Sequence, residues 1–277
     1  MRGKTIQVFL TDGSPRGIKL AEITSNIEQA IFIPRSKINE AANRTEVSRP
    51  GIYFLFSKNG ENSKPIVYIG QSRNCLERIK THDQKKDFWN DAVLIISKTE
   101  SFTQTHIEYL EELAITKATK ANRYKLDNAV SPRKFKLPET LEADLLDNFD
   151  TIKILLSTLG FPLFDIIDKE NSKELVYCKA KNASAEGEYK EDGFVVYKGS
   201  TANIELAPAS NSTIRNLRNK LIDSKTITQK GDLFEFQENY IFSSPSAAAA
   251  QVQGRNSNGW IEWKDSSGIT LDELKRK

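Results

Sequence analysis

Two tripeptides of mirrored order, Gly-Ile-Tyr at residues 51–53 and Tyr-Ile-Gly at residues 68–70, constrain this chain more than any other feature. Each lies in an apolar, strand-like run, GIYFLF or PIVYIG, and a polar segment with Asn59 and Gly60 separates the two runs. An Asn-Gly pair between two such runs is typical of a β-hairpin. The pattern therefore predicts a hairpin that carries one triplet on each strand.

The segments after the hairpin alternate between helical and strand-like patterns. Arg78 follows the second triplet by eight residues in a helical stretch, and His82 lies four residues later on the same helix face. A buried strand, AVLIIS, comes next, and a long amphipathic helix, THIEYLEELAITKATKA, contains Glu111. The order strand, strand, helix, strand, helix predicts a compact α/β sandwich.

Composition narrows the classes of protein that this chain can form. Its 277 residues suffice for about two small domains, and no apolar run approaches the ~20 residues of a membrane-spanning helix. Cys75 and Cys178 follow no metal or disulfide spacing, which indicates a reduced, cytoplasmic protein. Two histidines are too few for multi-histidine zinc chemistry and leave oxygen ligands for any catalytic ion.

The distribution of charged residues and of residues that end helices and strands, such as Gly and Pro, predicts four segments. A strand-rich N-terminal extension (1–49) precedes the hairpin domain (50–135), which carries 14 basic and 10 acidic residues and is the most basic part. An acidic, Leu-rich helical connector (136–175) follows, and a smaller α+β domain (176–277) closes the chain. A positive domain suits a phosphate-binding role, although a solvated charged surface would look the same.

The order of the two triplets, Arg78 and Glu111 resembles that of the GIY-YIG nuclease family over about residues 50–130. The resemblance implies an α/β (α+β) fold, with a short mixed or antiparallel central sheet flanked by helices. It also implies an endonuclease that hydrolyses DNA with one Mg²⁺ or Mn²⁺. The turn between the triplets is longer than in compact members of the family, either as a harmless extension or as a loop that contacts DNA.

The resemblance assigns chemical roles to particular side chains. Phosphodiester hydrolysis needs an activated nucleophile, stabilisation of the phosphate charge and help for the leaving group. In this family the first tyrosine activates the attacking water, and the second positions the water or the phosphate. The arginine binds the phosphate through its planar guanidinium, and the histidine hydrogen-bonds near the phosphate. The glutamate holds the metal and a late asparagine braces the site. The implied catalytic positions are Tyr53, Tyr68, Arg78, His82, Glu111 and Asn128.

Other positions are predicted with less support from the motif. Gly51 and Gly70 would keep the strand ends uncluttered, and Arg73, Lys80 and Arg255 are predicted nucleic-acid contacts. Glu108 and Glu112 lie on the same predicted helix and are alternative candidates for the metal ligand. The family's spacing of a glutamate four residues before an isoleucine selects residue 111, because residue 115 is isoleucine.

The C-terminal segment resembles a small module of unknown function that often follows GIY-YIG domains in bacterial proteins. It carries a Ser-Pro-Ser-Ala-Ala start and an Asn-Gly-Trp-x-x-Trp end, with Trp260 and Trp263 three residues apart. The tryptophans either fill a small core, which is the preferred interpretation, or stack on bases together with Arg215, Arg218 and Arg255.

The predicted function is therefore a cytoplasmic, bacterial DNA endonuclease whose C-terminal module selects the substrate or recruits a protein partner. A role in repair, restriction or phage defence is compatible with this prediction. Two rival hypotheses remain: a catalytically silent nucleic-acid-binding adaptor, and a nuclease subunit that is active only in a complex. The structure and sequence of the target are left open, because the chain shows no base-reading motif such as a zinc finger or helix-turn-helix.

Overall fold

The computed structural model describes residues 3–58, 64–128, 136–167, 169 and 174–276. The chain divides into two compact units, Met1–Ile166 (unit 1) and Ile167–Lys277 (unit 2). No helix in the described ranges combines the length and apolar character needed to cross a bilayer.

Unit 1 is built on one seven-stranded mixed sheet with helices on both faces. Its strands are β1 (Ile6–Leu10), β2 (Lys19–Ile23), β3 (Glu28–Pro34), β4 (Gly51–Phe56), β5 (Ile66–Ser72), β6 (Asp91–Ser97) and β7 (Lys125–Leu126). Its helices are α1 (Ile38–Ala41), α2 (Cys75–Lys85), α3 (Gln104–Ala121) and α4 (Glu139–Thr158), and two short 3₁₀ turns cover Arg35–Lys37 and Thr45–Ser48.

The predicted hairpin forms the centre of this sheet. The strand order is β1-β2-β3-β6-β4-β5-β7, and all pairs are antiparallel except β5 with β7. Strand β4 pairs with β5 in a register that sets Tyr53 opposite Gly70. The predicted turn at Asn59 and Gly60 lies outside the described residues.

Strand β4 is buried along its whole length because both faces of the sheet are covered. Its alternate residues divide between two cores, since successive side chains of a strand point to opposite faces. Tyr53 and Leu55 join the core beneath α2, while Phe54 and Phe56 join the core beneath α3 and α4. The tyrosine of the first triplet is thereby directed at α2.

The N-terminal strands and the acidic helix are part of unit 1. Strand β3 pairs with β6 over its full length, so β1 and β2 continue the same sheet. Helix α4 buries Leu145, Phe149 and Ile152 in the core shared with α3. The predicted boundaries after residues 49 and 135 therefore both fall inside one compact unit, and they stay predictions about domains.

Unit 2 packs two small antiparallel sheets around helix α6. Its strands are β8 (Val176–Lys179), β9 (Ser184–Lys190), β10 (Gly193–Val196), β11 (Thr201–Asn203), β12 (Ile227–Lys230), β13 (Leu233–Phe236) and β14 (Tyr240–Phe242). Its helices are α5 (Ser212–Asp223), α6 (Pro245–Gln253), α7 (Gly259–Glu262) and α8 (Leu271–Arg276). One sheet has the order β14-β10-β9-β8 and the other β11-β13-β12.

Helix α6 is the alanine-rich segment, and its small side chains let it approach both sheets closely. Ala248, Ala249 and Val252 lie in the main core of unit 2. The helix starts at the N-cap Ser244, with Pro245 at its first position, and ends at Gly254 in the left-handed conformation. The predicted fold class, α+β with a smaller α+β C-terminal part, is confirmed.

Candidate active site

Four of the predicted site residues meet on the side of the sheet covered by α2. Tyr53 on β4 and Tyr68 on β5 both face this layer, and their ring centroids lie 6.2 Å apart. Arg78 and His82 stand one turn apart on α2, which begins at the N-cap Asn74. The His82 ring lies 5.5 Å from the Tyr53 ring and 5.0 Å from the Tyr68 ring.

The Tyr53 hydroxyl is the centre of this cluster. It lies 2.9 Å from His82 Nε2, and Arg78 Nε donates a hydrogen bond of 3.3 Å to the same oxygen. Tyr53 is 1% exposed and His82 is 6% exposed, while Arg78 is exposed on the helix surface. The phenol therefore connects a buried imidazole with a solvent-facing guanidinium.

Burial keeps both buried members of the cluster neutral. It raises the pKa of Tyr53, an effect strengthened by Tyr68 and opposed by Arg78. Burial, aided by the charges of Arg78 and Lys86, lowers the pKa of His82 to about 4. At neutral pH the imidazole is therefore uncharged and one of its ring nitrogens is free to accept a proton.

Two glycines permit close contacts at the hairpin, one with the tyrosine and one with the neighbouring strand. A Cβ atom added to Gly70 would lie 2.3 Å from the Tyr53 hydroxyl oxygen, so the phenol occupies the space that any side chain at residue 70 would need. A Cβ atom on Gly51 would lie 2.3 Å from the backbone oxygen of Ile95 on β6. Gly70 thus makes room for the site, whereas Gly51 makes room for the sheet.

Glu111 projects from α3 toward the end of β5. Its carboxyl is half-buried, and this burial, together with the nearby charge of Glu108, raises its pKa to about 7. A hydrogen bond from the backbone of Gln71 and the charge of Arg78 oppose the shift. Glu111 is therefore electrostatically linked to the tyrosine cluster through Arg78.

The two rival carboxylates have other partners. Glu108 accepts a hydrogen bond from the Gln104 side chain at 2.7 Å, and Glu112 accepts one of 3.4 Å from Thr116. The charge of Arg78 acts on the pKa of Glu111. Arg78 thus acts on the Glu111 carboxyl, while Glu108 and Glu112 accept hydrogen bonds from side chains of α3 itself.

Asn128 braces the second triplet from the edge of the sheet. Its side chain accepts a hydrogen bond from Ile69 N at 3.1 Å and donates one to Ile69 O at 2.8 Å. These two bonds extend the β5–β7 ladder by one step, because Asp127 N already bonds Val67 O. The bracing holds the residue that lies between Tyr68 and Gly70.

Lys86 is a cation at this site that the sequence reasoning missed. Its Nζ lies 4.5 Å from the centre of the Tyr68 ring and 2.5 Å from Asp127 Oδ2. Lys86 is the extended C-cap residue of α2, so its spacing of four residues from His82 does not by itself place it at the site. Its charge contributes to the lowered pKa of His82.

The predicted nucleic-acid contacts lie outside the tyrosine cluster. Arg73 is exposed and donates to the Gln104 side chain at 2.9 Å, and Lys80 pairs with Glu77 at 3.8 Å on α2. Arg255 belongs to unit 2, where it pairs with Glu262 at 3.1 Å. All three keep an exposed or partly exposed side chain.

The chemistry of the donor set fits a single hard cation. Among the described residues, no three His, Cys, Asp or Glu side chains converge as a metal cluster. Glu111 offers one carboxylate, and its raised pKa shows that nearby groups do not compensate its negative charge fully. Mg²⁺ and Mn²⁺ favour such oxygen ligands, and Mg²⁺ commonly keeps most of its waters beside one or two carboxylates.

Comparison with known proteins gives two matches to family models. Residues 49–125 match the GIY-YIG catalytic domain, and residues 176–275 match a domain of unknown function (DUF4357). No curated protein matches the chain, and neither does any solved structure. The chain thus carries a GIY-YIG domain followed by this second module. GIY-YIG domains form a family of endonucleases, which supports a nuclease-type function for unit 1.

Proposed function

We propose that this protein is a metal-dependent endonuclease that hydrolyses DNA phosphodiester bonds at the tyrosine cluster of unit 1. The observation that carries the proposal is the position of the Tyr53 hydroxyl, between His82 Nε2 and Arg78 Nε. A neutral imidazole and an exposed guanidinium on one phenol match the need for a proton acceptor next to a phosphate-binding cation.

The proton of the attacking water passes through Tyr53 to His82. The buried phenol keeps its own proton at neutral pH, so it acts as a relay: its oxygen accepts the water proton as its O–H proton moves to His82 Nε2. His82 is an uncharged acceptor at this pH, because its pKa is about 4. Tyr68, whose ring lies beside both groups, orients the water against the phosphate.

Arg78 stabilises the charge that develops on the phosphate. Its guanidinium donates Nε to Tyr53 and lies exposed at the helix surface, so its remaining N–H groups can face a phosphate oxygen. Losing such a preorganised donor costs roughly 10²–10³ in rate in well-studied cases. Asn128 holds the second triplet in register for this chemistry.

Glu111 holds one Mg²⁺ or Mn²⁺ ion. When bound, the ion supplies Lewis-acid stabilisation to the phosphate and the leaving oxygen. Glu111 is suited to this role, because a cation beside the half-buried carboxylate would lower its raised pKa and favour its charged form.

The test is cleavage of supercoiled plasmid by the purified full chain with Mg²⁺, Mn²⁺ or EDTA. Glu111→Ala removes the metal ligand, and Glu112→Ala is the matched control one position away on the same helix. We expect metal-dependent nicking or linearisation by the wild type and the control, and none by Glu111→Ala. Cleavage retained by Glu111→Ala would refute the metal role.

The same assay separates the rival functions. Binding of DNA without cleavage in any metal would favour the silent adaptor. Cleavage only after addition of a cell extract from the source organism would favour a subunit that acts in a complex. We further propose a cytoplasmic, bacterial protein acting in repair, restriction or phage defence, whose unit 2 selects the substrate or recruits a protein partner. The reduced, buried Cys75 and Cys178 support the cytoplasmic placement.

A further inference from the structure

The two tryptophans of the Asn-Gly-Trp-x-x-Trp motif have different environments in unit 2. Trp263 is 0% exposed, and its indole N–H donates to Pro245 O at 3.0 Å, so it is a core residue. Trp260 is only partly buried, and no acceptor in the part of the chain that the structure describes receives its indole N–H. Core packing therefore describes Trp263, whereas Trp260 keeps part of its ring and its indole N–H open to a ligand.

Trp260 forms a surface cluster with an aromatic ring and a cation. Its ring makes an edge-to-face contact with the ring of Tyr189 on β9, with centroids 5.2 Å apart and an interplanar angle of 61°, and Tyr189 is 38% exposed. The guanidinium carbon of Arg276, on α8, lies 3.4 Å from the Trp260 ring centroid. We call these three residues the Trp260 platform.

The guanidinium of Arg276 occupies the place that a planar ligand would take. It covers an aromatic face at stacking distance, and its partner Asp272 is 3.4 Å away at an exposed position. Exposed cation–π contacts and surface ion pairs are weak compared with a base stacked on an aromatic side chain. A flat aromatic ligand can therefore displace the guanidinium, which would then be free to meet an anionic group.

The other arginines considered for this region are already engaged. Arg218 is 3% exposed and donates to Asn203 O and to the Gln251 side chain, which ties α5 to α6. Arg215 donates to the backbone oxygens of Ala207, Pro208 and Ser210. Both are structural, so Arg276 is the arginine that lies against an exposed aromatic face.

We propose that the Trp260 platform is a binding site for an unpaired nucleobase of single-stranded or distorted DNA. The base stacks on Trp260 beside Tyr189, and Arg276 moves to the neighbouring phosphate. The choice of ligand rests on the proposed function, which makes DNA the substrate. Arg276 and its neighbour Lys275 on α8 supply positive charge beside the platform, and each is held by a surface ion pair, with Asp272 and with Glu174 respectively, that a phosphate can displace. These cations favour a polyanion over a cationic peptide.

The tryptophan content allows the platform to be observed directly. The chain has three tryptophans, and Trp89 and Trp263 are both 0% exposed, so a ligand that stacks on a tryptophan must quench Trp260. Intrinsic fluorescence of the full chain is titrated in EDTA with oligothymidylate and with a blunt duplex of equal length. We expect saturable quenching by the single strand and much weaker quenching by the duplex.

Two variants test whether the quenching of fluorescence comes from Trp260. Trp260→Leu keeps an apolar side chain over the core but removes the stacking face, and Ile261→Ala alters the adjacent, 55% exposed residue. We expect Trp260→Leu to abolish the quenching and to weaken binding of labelled oligothymidylate on the order of tenfold by fluorescence anisotropy. Ile261→Ala should bind like the wild type. An unchanged thermal unfolding midpoint shows that each variant is folded.

Several outcomes would overturn the inference. Binding of oligothymidylate without a change in tryptophan emission, or equal affinity for Trp260→Leu and wild type, would place the contact elsewhere. Quenching by an acidic or basic peptide but by no oligonucleotide would identify a protein ligand instead. The fluorescence titration does not depend on cleavage. If the wild type nicks plasmid but oligothymidylate does not quench the tryptophan emission, the platform alone is refuted. Quenching without nicking would leave the platform in place and favour one of the two rival functions, the silent adaptor or the subunit active only in a complex.

Discussion

At the scale of single residues, the site depends on groups that burial keeps uncharged. Tyr53 and His82 share a hydrogen bond of 2.9 Å inside the α2 layer, and burial moves the two pKa values in opposite directions. Both groups are therefore neutral at pH 7, and one proton can be passed between them. The exposed Arg78 reaches the phenol from the surface, and its positive charge lowers the pKa of His82 further while it partly offsets the raised pKa of Tyr53.

Replacing Tyr53 by Phe tests the relay. The substitution removes one hydroxyl and keeps the ring that fills the core, so we expect a folded protein whose cleavage rate falls on the order of a hundredfold. Single-turnover cleavage kinetics provide the measurement. Tyr124→Phe is the control, since it removes another buried hydroxyl of unit 1, on the opposite face of the sheet. A rate equal to that of the wild type for Tyr53→Phe would contradict the proposed role.

At the scale of elements, the β4–β5 hairpin positions the site because its register sets a glycine opposite a tyrosine. The Tyr53 phenol lies across Gly70, and helix α2 then brings Arg78 and His82 over the same ring. Asn128 holds the outer side of β5 through both backbone groups of Ile69. Strand β4 and helix α2 thus converge on one hydroxyl, and an edge residue braces the neighbouring strand β5.

Alanine at the two motif glycines should separate activity from stability. Gly70→Ala places a methyl group 2.3 Å from the Tyr53 hydroxyl and should displace the phenol, so we expect cleavage to be lost at a stability cost of about 1–3 kcal/mol. Gly51→Ala meets the backbone oxygen of Ile95, which cannot turn aside, so its stability loss should be larger. Urea unfolding and plasmid cleavage measure the two effects. Full activity of Gly70→Ala would show that the contact is not needed.

The contact between β3 and α4 contains a buried carboxylate with an unusual environment. Glu28 is 1% exposed, its Oε2 has no hydrogen-bond partner, and burial raises its pKa. The Thr151 hydroxyl on α4 and the charges of Lys98 and Lys4 oppose this shift. The folded state therefore holds the Glu28 proton more tightly than the unfolded chain does.

This carboxylate should make stability depend on pH in a defined direction. Because the folded pKa is raised, the stabilisation from the bound proton is present below the unfolded value of about 4.3 and is lost as pH rises through the folded value. Glu28→Gln cannot titrate, so its free energy of unfolding relative to wild type should increase between pH 5 and pH 8. Urea unfolding at both pH values tests this, and a constant difference would contradict the assignment.

At the scale of the whole molecule, the chain contains two units that each have their own cores. In unit 1 the GIY-YIG match ends at residue 125, but the sheet extends through the N-terminal strands and the core extends through α4. Units with separate cores are expected to fold separately.

A fragment of the chain should fold only if it contains a complete core. Residues 1–166 and 167–277 should each unfold cooperatively on heating, as monitored by circular dichroism. Residues 50–135 should not, because this fragment lacks β3, which covers one edge of β6, and α4, which buries Leu145 and Phe149. A cooperative melt of the short fragment would show instead that the predicted nuclease domain is autonomous.

The sequence predicted much of this architecture, and there are physical reasons why the remaining elements and one site residue were not predicted. The triplets, the long apolar stripe of α3 and the Ser-Pro-Ser-Ala start of α6 are local patterns that fold the same way in many contexts. Strand β9 was missed because it is rich in polar residues, and β11, β12 and β13 were missed because each spans only three or four residues. Lys86 was missed because its role depends on Asp127 and Tyr68, which lie far from it in the sequence.

By itself, the sequence determined the fold class and the presence of a GIY-YIG domain followed by a second module, because spacing along strands and helices expresses both. Only the tertiary structure decided that the Tyr53 hydroxyl lies between His82 and Arg78, and that Trp263 is buried while Trp260 is not. Burial and hydrogen bonding between distant segments set these properties, and both arise only when the layers pack together.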